Sequence, residues 1–108
     1  MRFEFKRGKK KFKINAHKCN ISSTGLMFKR RKNAKALIFN FKKSSRMALT
    51  SLFVFFEFLV LWLDERDNVV DMKICKPWKV YINTKKSFSK ILEIPKNKKY
   101  EKIIKKLI

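Results

Sequence analysis

Histidine, glycine and proline are scarce in this chain of 108 residues, which has one His, two Gly and two Pro. So little Gly and Pro excludes a collagen-like or a Gly/Pro-rich disordered chain. The single histidine, His17, closes most routes to catalysis and metal binding. A Ser-His-Asp or Cys-His mechanism would need it as base. Zinc wants four ligands, and His17 with Cys19 cannot supply them. Neither a metal nor a cofactor is implied, and a non-enzymatic role is expected. The two cysteines, Cys19 and Cys75, match no CxxC spacing. Two free buried thiols are expected rather than a disulfide, because no secretory signal is visible. Met1 to Lys13 holds seven bases and one acid, but no apolar stretch of the roughly 7–15 residues that a signal peptide needs. A cytoplasmic protein is the expectation.

Acids are scarce as well: 8 Asp+Glu stand against 29 Lys+Arg, for a net charge of +21. Five of the acids (Glu57, Asp64, Glu65, Asp67 and Asp71) lie between Met47 and Met72, where Arg66 is the one base. The chain therefore has an apolar, slightly acidic middle between two basic flanks. Such asymmetry points to a polyanionic partner: RNA, DNA or an anionic membrane surface. The competing explanation is genome composition, since Lys outnumbers Arg 23 to 6. Thermophilic enrichment of Lys would bring matching Glu, which is missing here.

What is present is apolar: 45 % of the residues, with 11 Phe and 2 Trp, enough for a core in one domain spanning 1–108. Met47 to Leu63 reads MALTSLFVFFEFLVLWL, 17 residues, at the short limit for a spanning helix. Glu57 in its middle argues against a bilayer. No membrane span is expected, and the run suits one long or two short strands buried on both faces.

Alternation marks the rest. Phe3 and Phe5, then Phe12 and Ile14, alternate with polar residues around Arg7-Gly8, which predicts an N-terminal hairpin. His17 to Thr24 is polar and predicts a short helix or turn, ended by Gly25. Ala36 to Phe41 is a strand with Leu37, Phe39 and Phe41 on one side and Ala36, Ile38 and Asn40 on the other. Asp64 to Asn68 is a turn, and Val69 to Cys75, Val80 to Ile82 and Lys90 to Ile94 are strands. Pro77-Trp78 and Pro95 interrupt the sheet. Tyr100, Ile103, Ile104, Leu107 and Ile108 follow helical spacing, giving an amphipathic helix over 97–108 with an outer face of lysine. The fold class is mainly β: a small antiparallel β-sandwich or barrel-like domain with a short helix near 17–24 and a C-terminal amphipathic helix.

Several strings then resemble one family. Gly25-Leu26-Met27-Phe28 followed by Arg30-Arg31 resembles the GLMFR signature of the family called domain of unknown function 192. Ala36 to Phe41 is similar to its MLFVF strand. Phe53 to Phe56 and Val60 to Asp64 are similar to its central FVFFP-IDVVWLD segment. Val69-Val70-Asp71, Lys76-Pro77-Trp78 and Ile91 to Pro95 resemble its VVD, KPW and LELP elements. The match runs over about 12–95 and looks most like archaeal members. The resemblance implies a mainly β, sandwich-like domain, and the family has no reaction assigned. Members usually carry Pro-Ile-Asp or Pro-Leu-Asp where this chain has Glu57-Phe58-Leu59. Either Glu57 stands in for the missing acid, or it is a partly exposed glutamate at a strand end. The family's Gly-rich tail is replaced here by the Lys-rich helix.

Three functional readings follow. In the first, a basic surface contacts a polyanion, RNA above all, through flank lysines and the Arg30, Arg31, Lys32 and Lys35 loop, with Trp78 as an aromatic anchor. The competing reading of these residues is a solvated basic loop and a core tryptophan. In the second, the chain is a small-molecule binding protein or enzyme with a cleft near Met27, Phe28, Glu57 and Trp78, containing one perturbed carboxylate. In the third, it associates with a membrane through Met47–Leu63 or through the last helix.

Overall fold

A computed structural model describes residues 2–19, 34–45, 56–76 and 84–108. They form six strands and a helix: β1 (Arg2–Arg7), β2 (Lys10–Cys19), β3 (Ala36–Ser45), β4 (Phe58–Leu63), β5 (Val69–Cys75), β6 (Phe88–Pro95) and α1 (Glu101–Leu107). The strands make one mixed sheet in the order β1-β2-β3-β6-β4-β5, curled into a half-barrel. The expected mainly β, barrel-like class is what is found.

The N-terminal hairpin follows its alternation. Phe3 and Phe5 are buried while Arg2 and Glu4 are exposed. Phe5 sits opposite Phe12 in the ladder, and their rings stack at 5.4 Å. Gly8 turns the chain at φ +62°, a conformation glycine adopts without steric cost. β4 is buried at all six positions, as a strand covered on both faces should be. The apolar run is therefore strand over Phe58–Leu63, not one continuous helix, and its earlier part lies outside the described residues. No helix among those residues is long and apolar enough to cross a membrane.

Alternate residues supply two cores. Phe5, Ile38, Leu61, Leu92 and Ile94 belong to one, together with Tyr100, Ile104 and Leu107 from the helix end of the chain. Leu37, Phe39, Phe58, Val60, Trp62 and Ile91 belong to the other. Between β4 and β5, the Asp64 carboxylate accepts from the backbone N–H groups of Arg66 and Asn68, each at 2.9 Å. Burial pushes its pKa up, but these bonds and Lys6 outweigh burial and leave it below the usual carboxylate range. Asp67 follows at φ 64°, and its carbonyl accepts from Lys6 N–H at 2.8 Å. That bond ties the turn between β4 and β5 to β1.

Three details differ from the sequence expectation. The sheet is not wholly antiparallel: β2 runs parallel to β3, with Ala16 opposite Ala36 and His17 opposite Leu37. Alternation marks strands but does not fix their partners. The expected short helix near 17–24 is not present over His17 to Cys19, which continue β2. Pairing with β3 satisfies their backbone there, and the remaining positions lie outside the described residues. The C-terminal helix is shorter than 97–108. Backbone bonds Asn97 N–H to Pro95 O and Tyr100 N–H to Asn97 O form turns first, and Ile108 is 59 % exposed rather than packed. The expected strand over 80–82 and the Pro77-Trp78 break lie outside the described residues.

Candidate binding groove

Strand periodicity puts Phe12, Ile14 and Ala16 of β2 into the core and leaves Lys11, Lys13, Asn15 and His17 exposed. Helical spacing does the same for the C-terminal segment. Tyr100, Ile104 and Leu107 are buried, while Lys99, Lys102 and Lys106 are exposed; Lys102 and Lys106 share one stripe of α1 at an interval of four residues, and Lys99 lies in the turn just before it. These two basic rows face each other across a groove. One part, of about 660 Å³, is lined by Lys13, His17, Lys35, Lys99 and Lys102 with Ile14, Ala16 and Ile103 at its apolar base. A second part, of about 590 Å³, is lined by Lys10, Lys11, Lys13, Lys102 and Lys106. Lys13, Lys102 and Ile103 line both parts, so the two adjoin.

Negative charge near the groove is slight. Glu4 pairs with Lys13 at 3.5 Å, with both side chains more than half exposed, and an exposed pair of this kind is weak and easily exchanged. Glu101 is turned to the neighbouring stripe, where it pairs with Lys105 at 3.4 Å.

The walls are held by bonds to the main chain. Arg7 Nη1 donates to Leu107 O at the end of the helix. Asn97 Nδ2 donates to Ala34 O at 3.0 Å. The Tyr100 hydroxyl accepts from Ala36 N–H at 2.9 Å and donates to Asn15 O at 3.4 Å. It closes the point where β2 leaves β1 and joins β3. Replacing Tyr100 by Phe leaves the buried Ala36 N–H without that partner. We expect a loss of about 1–2 kcal/mol, read as a lower urea midpoint at unchanged slope. A loss under a few tenths would show that the hydroxyl does not hold the wall.

On the other core, Glu93 is buried on β6 between Leu37 of β3 and Val60 of β4. Among the described residues, its Oε1 and the nearby Trp62 Nε1 have no hydrogen-bond partner. Burial pushes the Glu93 carboxyl up to about 7. Cys75 is a free, buried thiol, raised to about 11 by burial and then by the Glu93 charge, with Lys73 opposing. This centre is enclosed, whereas the groove is open to solvent.

Of the residues singled out in the sequence, Lys35 lines the groove. Glu57 does not. It precedes β4, half-exposed, with Oε2 at 3.3 Å from Lys96 Nζ. Met27, Phe28, Arg30, Arg31, Lys32 and Trp78 lie outside the described residues. The sequence reading did not single out Lys13, Lys99, Lys102 and Lys106, although it placed lysine on the outer face of the last helix. It also did not single out Glu93, whose signal was an acid between apolar neighbours in Ile91 to Ile94. Among the described residues, no group of His, Cys, Asp and Glu could hold a metal ion.

Comparison with known proteins gives the following. The family model DUF192, described as "Uncharacterized ACR", matches residues 4–106. No curated protein matches. A protein of unknown function from Novosphingobium aromaticivorans is similar in structure, with a TM-score of 0.68 at 13 % identity, over 79 % of this chain. This chain spans only 65 % of that protein's length. A candidate transcription regulator from Sinorhizobium meliloti is similar with a TM-score of 0.71 at 14 % identity, over 87 % of this chain and 77 % of the other. At such identities the likeness shows the fold alone.

Proposed function

The chain belongs to the DUF192 family, described as uncharacterised, and from that premise we propose that it is a non-enzymatic binding module whose basic groove contacts a polyanion, namely nucleic acid such as RNA. The observation that carries this is the convergence of lysines from β2, α1 and Lys35 on one groove. Net charge alone speaks to association and solubility, but facing rows of cations also give the charge a place to act. The small-molecule reading asks for a carboxylate with a raised pKa in an open cleft. Glu93 has the raised pKa, but its free oxygen is shut away from solvent, so the groove is preferred.

Binding of this kind releases counterions and weakens steeply with salt. For about five phosphate contacts on a single strand, affinity should fall about 100-fold between 50 and 200 mM salt. Fluorescence anisotropy of a labelled 20-nucleotide RNA at the two salt concentrations measures it. No binding at 50 mM, or affinity that does not change with salt, overturns the proposal.

A further inference from the structure

We infer that the groove takes single-stranded nucleic acid in preference to duplex, with one phosphodiester backbone lying between the lysines of β2 and those of α1. The inference rests on the polyanion reading above and narrows it. Its basis is the shape of the charge. Lys11 and Lys13 line one wall and Lys102 and Lys106 the other, with Ile14 and Ile103 between them. Cations on two facing walls can surround a single backbone. A duplex carries its phosphates on the outside of a cylinder and meets the rims of a groove rather than its interior.

The length agrees. From Lys10 to His17, β2 extends about 23 Å at roughly 3.3 Å per residue. That holds on the order of four nucleotides, the short end of the range for single-strand grooves. The apolar lining of the groove is Ile14, Ala16 and Ile103 with two rings, Phe12 and Tyr100. Both rings are buried, Phe12 is stacked on Phe5 and the Tyr100 hydroxyl is committed to Ala36 and Asn15, so neither offers a free face for a base to stack on. Backbone contact then dominates in the groove, and preference among bases is weak.

The test compares one sequence of 12 nucleotides as single-stranded RNA, single-stranded DNA and blunt duplex DNA, by anisotropy at 50 mM salt. Single strands should bind at least about 10-fold more tightly than duplex. Lys13→Gln with Lys102→Gln removes one cation from each wall. It should weaken single-strand binding about 10-fold and reduce the log–log salt slope by about 1.4, or about 0.7 per phosphate contact. Lys85→Gln with Lys86→Gln, exposed and outside the groove, should change affinity less than about twofold by comparison, as a loss of unspecific charge would. Circular dichroism confirms that both variants fold. Duplex binding as tight as single-strand binding overturns the inference and leaves the polyanion reading standing. No binding of any form overturns both. Equal losses in the two double variants, or equal competition by inorganic polyphosphate per phosphate, also overturn the inference, because nothing would then be specific to the groove or to a nucleic acid.

Discussion

Replacing Trp62 by alanine is expected to cost about 3–5 kcal/mol of folding stability, the usual range for emptying a large aromatic site in a core. Trp62 has no exposed surface. It sits on β4, next to the edge strand β5, with Ile91 of β6 on one side and Asp71 of β5 on the other. Lys73 Nζ lies 5.7 Å from its ring centroid. Backbone pairing on both sides keeps the strands from closing over the space, so a cavity should remain. Against a total of about 5–15 kcal/mol for a domain, the variant would lie near the threshold of folding. Trp62→Phe separates volume from polarity. Phenylalanine gives up part of the ring, but it also removes the Nε1–H, which has no partner among the described residues and whose burial in that state costs about 1–3 kcal/mol. Its net cost should be below about 1.5 kcal/mol, the range of near-conservative core swaps. Urea unfolding followed by circular dichroism reads both as midpoint shifts at constant slope. A loss under about 1 kcal/mol for the alanine variant would show that this core closes over the gap, contrary to the packing argument.

The strands of this protein were legible because burial writes a period of two into them. Phe3, Phe5, Phe12 and Ile14 could be placed on one face from alternation alone, and the structure buries all four. Phe58–Leu63 could be read as a two-sided strand because polar residues are absent from it. The inner face of the last helix was legible from the spacing of Tyr100, Ile104 and Leu107, though not its first residue, because Asn97 takes the chain through turns first. Partner order was not legible. Periodicity does not tell that β6 inserts between β3 and β4, nor that β2 changes partner from β1 to β3 along its length. The groove depends on that order. Lys13 and Lys102 are far apart in the chain, and each reads by itself as a solvated lysine. Only the docking of the helix beside β2 makes them opposite walls. Glu93 was overlooked for a related reason. An acid in a strand is ordinarily given to the solvent face, and here the sheet has none at that position.

Glu93 should make the protein lose stability as pH rises, the reverse of the usual behaviour of a carboxylate held in an ion pair. Its pKa rises from an ordinary 4.5 to about 7 because burial penalises the ionised form. Between those two values the folded state holds a proton that the unfolded state has released. The stabilisation is therefore complete below about 4.5 and vanishes as pH passes through about 7. A shift of this size corresponds to about 3 kcal/mol, most of which falls between pH 5 and 8. Two other groups with shifted pKa values do not obscure that window. Asp64 has a lowered pKa, so its contribution is lost only as pH falls below the ordinary carboxylate range. Cys75 titrates near 11 and remains a thiol throughout. Glu93→Gln keeps the shape and cannot ionise. The wild type should thus lose about 2–3 kcal/mol more than the variant between pH 5 and 8, with the variant the more stable of the two at pH 8. Urea unfolding of both proteins at the two pH values decides it. Equal losses in the two proteins would mean that Glu93 is ionised at neutral pH with water or a cation at its side, and that the enclosed carboxyl described above is not the state in solution.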